Sequence, residues 1–159
     1  MRRIGAIIVL AVALAACGQG SSPPPANTPA PAPAQAALTP EEIAAAITAL
    51  PAPFNAGDYE AGKRVFAQCR SCHTIDASEA NRVGPHLHGV IGRHVASVEG
   101  FNYSEAMRAQ DFVWDGARLD PYLANPMAEI PGNRMAFAGV RDATQRQNLI
   151  TYLMIESAR

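Results

Sequence analysis

The chain has 159 residues, 48% of them apolar and 17% charged, and its formal net charge is -1. That length accommodates one domain with appendages. The near-neutral balance excludes the basic surface of a nucleic-acid-binding protein, and Lys63 is the single lysine beside twelve arginines.

Residues 1–16 read as a signal peptide. Met1, Arg2 and Arg3 form a short positive start, and Ile4 to Ala16 is an unbroken apolar run of thirteen residues. A run that short suits a signal core better than a membrane span, which needs about 20 residues. It ends in Leu14-Ala15-Ala16-Cys17, which resembles a bacterial lipobox. The resemblance implies that Cys17 is lipidated and becomes the new N-terminus, so that the chain is exported and held at a membrane. In that compartment its thiols meet oxidising conditions.

Gly18 to Ala37 has no charge and no aromatic, and alternates Pro with Ala. It cannot bury enough surface to offset the entropy of ordering, and reads as a semi-rigid spacer. At about 3.1 Å per residue it reaches up to roughly 60 Å. Residues 17–38 are therefore expected to be lipidated cysteine and linker. Residues 39–55 then form a short helix and connector: Thr39 caps, Pro40 opens, and Ile43, Ile47 and Leu50 share a face. A globular domain is expected over 56–159.

Inside it, Asp58 caps a predicted helix with Tyr59, Gly62, Val65, Phe66 and Cys69 near one face. Gly62 would let another helix approach closely. A last helix starts at Asp142 or Thr144 and carries Leu149, Ile150, Tyr152 and Leu153. Between them lie Gly- and Pro-rich loops and short helices, with no convincing strand. The fold class is all-α, and so much irregular chain needs something at its centre to hold it together.

Cys69-Arg70-Ser71-Cys72-His73 supplies a candidate. A thioredoxin-type pair wants a preceding strand, and here a helix precedes. A zinc site wants a second ligand pair. A disulfide across two residues staples little. C-x-x-C-H is the attachment signature of c-type haem: two thiols form thioethers with the ring, and the next residue offers an imidazole to the iron. The residues alone leave the opposite ligand open among Met107, Met127, Met135, Met154 and the histidines His86, His88 and His94, with Met135 set in a Pro-Gly loop.

Four further stretches, Val83 to Arg93, Gly100 to Met107, Val113 to Pro126 and Ile130 to Val140, resemble class I cytochromes c of the mitochondrial and bacterial c2 type. The similarity runs in order from Gly57 to about Leu153. It implies terminal helices crossing, with short helices and loops wrapped around one covalent haem c. It implies thioethers at Cys69 and Cys72, and iron ligation by His73 and Met135. Pro85 would hold the other ring nitrogen of His73; Arg93, Tyr103 and Trp114 would hold a buried propionate; Tyr122 would stand beside the Met135 sulfur. Asn133 stands where the family often has Thr or Ser, and Met107 where it often has a polar residue. His88 is then a structural hydrogen-bonding residue, and His86 and His94 lie at the surface.

With both axial positions filled, the resemblance implies a monomeric one-electron carrier, not an enzyme. Its partners would be a cytochrome bc-type donor and a terminal oxidase or photosynthetic reaction centre on the periplasmic side. A catalytic or gas-sensing haem domain is the rival and would require Met135 to be absent or labile. From Ala56 onward there are eleven basic and twelve acidic residues, so steering by charge is expected to be weak.

Overall fold

The computed structural model describes residues 36–76 and 81–159. Its helices are α1 Pro40–Ala49, α2 Tyr59–Phe66, α3 Glu105–Arg108, α4 Gly116–Ala124, α5 Pro126–Glu129 and α6 Ala143–Glu156, with a 3₁₀ turn at Phe54–Ala56. Among the described residues there is no strand, only an isolated antiparallel bridge between His94 and Val113. None of these helices is long and apolar enough to cross a membrane.

The helix starts follow from side chains that satisfy orphan backbone N–H groups. Thr39 and Glu42 form a reciprocal capping box at α1, the Thr39 N–H reaching the Glu42 carboxylate at 2.8 Å. Asp58 accepts from the Ala61 N–H at 2.9 Å, and Asp142 accepts from Gln145 at 2.8 Å. Asp142, not Thr144, is therefore the cap of α6.

The core forms where α2 crosses α6. Gly62 is buried against the Asn148 carbonyl and the Tyr152 side chain, with no room for a Cβ. The Tyr152 ring lies 5.2 Å from that of Tyr59 and 5.1 Å from that of Phe66. Leu149 and Ile150 are fully buried beside it, and α4 adds Leu119, Tyr122 and Leu123 to the same core. Arg146 of α6 grips α4 through Asp120 at 2.8 Å.

The segment before α2 also belongs to this core. Phe54 is buried, and its carbonyl accepts from the buried Thr151 hydroxyl at 2.9 Å. Leu38, Ile43, Ile47 and Leu50 pack against the core cluster. At the far end, Arg159 pairs with the Glu156 carboxylate at 2.9 Å and also reaches the carbonyl of Ala36. Tyr59 donates to the same carboxylate at 2.5 Å.

Burial pushes the Tyr152 phenol up to about 12, with the charge of Glu156 adding to it. The free phenol has a pKa of about 10. A raised folded-state value means that Tyr152 contributes stability in full below about pH 10, and that this contribution is lost as pH rises from there through about 12. Unfolding free energy measured in urea should therefore fall over that window, and Tyr152→Phe should make the alkaline fall shallower. An identical alkaline slope in the variant would assign the loss to other groups.

Candidate functional site

The polypeptide leaves α2 in tight turns. The Cys69 N–H bonds Phe66 O at 2.8 Å, and the N–H groups of Cys72 and His73 both bond Cys69 O, at 3.1 and 2.9 Å. The two cysteines are half-buried free thiols. Burial, and then the neighbouring Cys72, pushes the Cys69 thiol up to about 11, so it stays protonated.

The His73 ring is held from the following loop. Its Nδ1 lies 2.7 Å from Pro85 O. A carbonyl only accepts, so Nδ1 carries the proton and Nε2 keeps its lone pair. Burial lowers the pKa of the ring, which keeps it neutral. Gly84 backs the imidazole: a Cβ there would sit 2.7 Å from His73 Nδ1 and 2.8 Å from Nε2. Its N–H bonds Cys72 O at 2.8 Å, and Leu87 N–H bonds Thr74 O at 2.7 Å, strapping this loop along the cysteine turn. In the sequence, the only signal for this role of Gly84 is its place before Pro85, the expected partner of His73.

Arg93 donates to the carbonyls of His88 at 2.8 Å and His86 at 2.9 Å. Burial lowers its pKa, and no ion pair with a carboxylate offsets that among the described residues. Tyr103 lies in its electrostatic reach, its own pKa raised by burial. Trp114 is buried between Phe112 and Tyr122, with ring centroids at 4.8 and 4.9 Å, and its backbone pairs with Gly92 and Arg93. Two histidines differ from expectation. His86 is half-buried rather than superficial, and the His88 ring makes no hydrogen bond at its buried Nδ1, so His88 contributes through its carbonyl. His94 is exposed, as expected, and pairs with Asp111 at 2.9 Å.

Met135 is half-buried, and its sulfur accepts from the Tyr122 hydroxyl at 3.3 Å. Burial pushes the Tyr122 phenol up to about 12, so the hydroxyl keeps its proton to donate. The Met135 N–H bonds the Asn133 side chain at 2.7 Å. Among the described residues no other methionine has a comparable hold: Met127 is exposed, Met107 is buried in the core, and Met154 packs against it. Cys17 lies outside the described residues.

This donor set fits a haem. Two free thiols precede an imidazole with a free lone pair, a thioether is oriented by a phenol, and a partly buried guanidinium has no carboxylate partner among the described residues, which a propionate would supply. A helical fold with no sheet among its described residues, carrying these donors, is that of a c-type haem protein. The family model described as cytochrome c matches residues 59–155. That match spans more than half of the chain, which thus belongs to the cytochrome c family. The chain is 50% identical over 105 residues to cytochrome c 2.1 of Caenorhabditis elegans, covering 65% of this chain and 94% of that one. It is 51% identical over 98 residues to the cytochrome c-type cyt cy of Rhodobacter capsulatus, covering 61% of this chain and 48% of that one. Among solved structures, cytochrome cH from Methylobacterium extorquens aligns with a TM-score of 0.57 and 38% identity, over 61% of this chain and 97% of that one.

The protein is accordingly an electron carrier with one covalently bound haem c, serving membrane complexes; it is not an enzyme.

Proposed function

We propose that Cys69 and Cys72 form the two thioethers and that His73 Nε2 and Met135 Sδ are the axial iron ligands. The observation that carries this is the His73 geometry: Pro85 O accepts a hydrogen bond from Nδ1–H at 2.7 Å, leaving the Nε2 lone pair free on the residue that follows two free thiols in the chain. When bound, the haem supplies a metal that changes its charge by one electron. The chain's own part would be to hold that metal through His73 Nε2 and Met135 Sδ, which would leave no position open for oxygen or substrate. Tyr122 orients the sulfur, and Pro85 and Gly84 fix the imidazole plane. Arg93, with Tyr103 and Trp114 around it, meets the propionate charge. Because the same two side chains serve both oxidation states, little has to reorganise when an electron moves.

The same proposal places the domain, residues 56–159, on the periplasmic side, behind a linker of residues 17–38 anchored by lipid on Cys17. The helix and connector over 39–55 join the two. Its partners are a cytochrome bc-type donor and a terminal oxidase or reaction-centre acceptor. The support is the lipobox-like Leu14 to Cys17, the Pro-Ala spacer and the charge balance of the domain. With eleven basic and twelve acidic residues from Ala56 onward, long-range steering is weak, and a tether that raises the effective concentration to about the millimolar range compensates.

The Cys17→Ala variant tests the anchor. Wild-type haem protein should remain with washed membranes, and the variant should be released. At sub-micromolar concentration the released form should reduce the membrane oxidase roughly a hundredfold more slowly than the anchored form. Its rate should depend only shallowly on ionic strength. Wild-type protein found wholly soluble, or equal rates for the two forms when dilute, would defeat the anchoring reading and leave the haem ligation standing.

A further inference from the structure

The stretch that carries Met135 runs largely through solvent: Pro131, Gly132, Arg134 and Ala136 are all exposed. Asn133 in their midst is only 5% exposed. Its side chain makes three hydrogen bonds, all to backbone. Nδ2 donates to Pro126 O at 2.6 Å and to Ile130 O at 2.8 Å, and Oδ1 accepts from the Met135 N–H at 2.7 Å. The Asn133 N–H also bonds Ile130 O at 3.1 Å, closing a turn whose Gly132 has φ +86°. One planar amide thus ties the start of the loop, its turn and the backbone of Met135 together. Rotating the amide by half a turn would set Oδ1 against two carbonyl oxygens, so this orientation is the satisfiable one. A hydroxyl at the same position has one donor and cannot reproduce the arrangement.

We infer that Asn133 is a positioning residue for the iron: it holds the loop from Pro126 to Met135 closed, so that Met135 outcompetes external ligands. This rests on the reading of Met135 as axial ligand. An external base binds only when the loop opens, so its apparent affinity scales with the open fraction. Preorganisation by Asn133 keeps that fraction small. Asn133→Asp is nearly isosteric and keeps an acceptor for the Met135 N–H. It turns both donations into repulsion between oxygens, and so raises the open fraction without changing the shape of the side chain.

The test is an imidazole titration of the oxidised, haem-loaded full-length protein, followed through the far-red iron–sulfur absorption. Asn133→Asp should bind imidazole about tenfold more tightly than wild type, and Asn133→Thr by an intermediate factor. Thr151→Val, which removes a buried hydroxyl that bonds Phe54 O and makes no hydrogen bond to this loop, should lower the urea midpoint and leave imidazole affinity unchanged. Affinity within about twofold of wild type in Asn133→Asp would overturn the inference. If that variant retains no haem, the same result in Asn133→Thr would do so. An equal rise in Thr151→Val would also overturn it, by making the effect global. If the far-red band survives Met135→Ala, the ligand reading itself has failed. If the band is lost there and imidazole affinity is unmoved in the Asn133 variants, the inference about Asn133 alone has failed.

Discussion

Met135→Ala should leave the haem attached and change nearly everything else about the iron. In the proposed attachment the thioethers to Cys69 and Cys72 lie in the turn after α2, remote in sequence from the Met135 loop, so a denatured sample should keep its haem on the chain. The Tyr122 hydroxyl loses its sulfur acceptor at 3.3 Å, and under the proposed ligation the iron loses the ligand that Met135 would supply. The oxidised protein should lose its far-red iron–sulfur band, and the reduced protein should bind carbon monoxide, which the wild type should refuse. The potential should fall, because a soft thioether favours the reduced metal. A drop on the order of 0.1–0.3 V is expected, within the ~0.8 V range spanned by axial ligands. Met127→Ala is the matched control, since Met127 is exposed and has no partner of this kind. Loss of the band in Met127→Ala with retention in Met135→Ala would reverse the assignment.

The largest effect on stability is expected at Gly62. A Cβ there would lie 2.7 Å from the Asn148 carbonyl carbon and 2.8 Å from Tyr152 Cβ, and still closer to the Asn148 oxygen. Backbone of α6 cannot swing aside as the tip of a flexible side chain can. The helices must separate, and the rings of Tyr59, Phe66 and Tyr152 lose their packing. Overpacking typically costs 1–3 kcal/mol and more where backbone is the obstacle, against a helix-propensity gain of about 1 kcal/mol for Ala over Gly. Gly62→Ala should therefore destabilise the protein by roughly 2–4 kcal/mol, or about 10–25 °C in Tm for a domain of this size. Gly92→Ala provides the contrast. Its Cβ would meet nothing within 4 Å, and only its φ of +81° penalises a side chain. That change should cost about 1 kcal/mol. Comparable losses at the two positions would mean that the α2–α6 crossing tolerates separation.

The parts of this protein that were legible in the sequence are those whose causes lie within a few residues. Thr39, Asp58 and Asp142 start helices by bonding N–H groups three residues ahead, so the caps of α1, α2 and α6 stand in the chain as local patterns. C-x-x-C-H is equally local, because attachment at two points of one ring and ligation beneath it demand that spacing. Short helices were expected between α2 and α6, but their positions were not legible. Four residues in α3 or α5 carry no period, and α4 begins with Gly116 and contains Pro121, two signals that argue against a helix. α4 holds nonetheless, because Leu119, Tyr122 and Leu123 are buried in the core.

Tertiary structure decided the rest, and at the site it decided most. Residue types alone left four methionines and three histidines as candidates for the second ligand, with Met135 set apart by its Pro-Gly loop and by family resemblance. The tertiary structure adds that Tyr122, thirteen residues away, reaches the Met135 sulfur. Asn133 read as an unusual substitute for a hydroxyl until its amide met Pro126 O, Ile130 O and the Met135 N–H together. Gly84 carried only a weak sign, its place before Pro85, and its role is set by the His73 ring that lies against it. A cap needs one neighbour at a fixed offset and is specified by the chain itself. An oriented ligand needs partners from several segments at once, and their convergence is specified only when the core has packed.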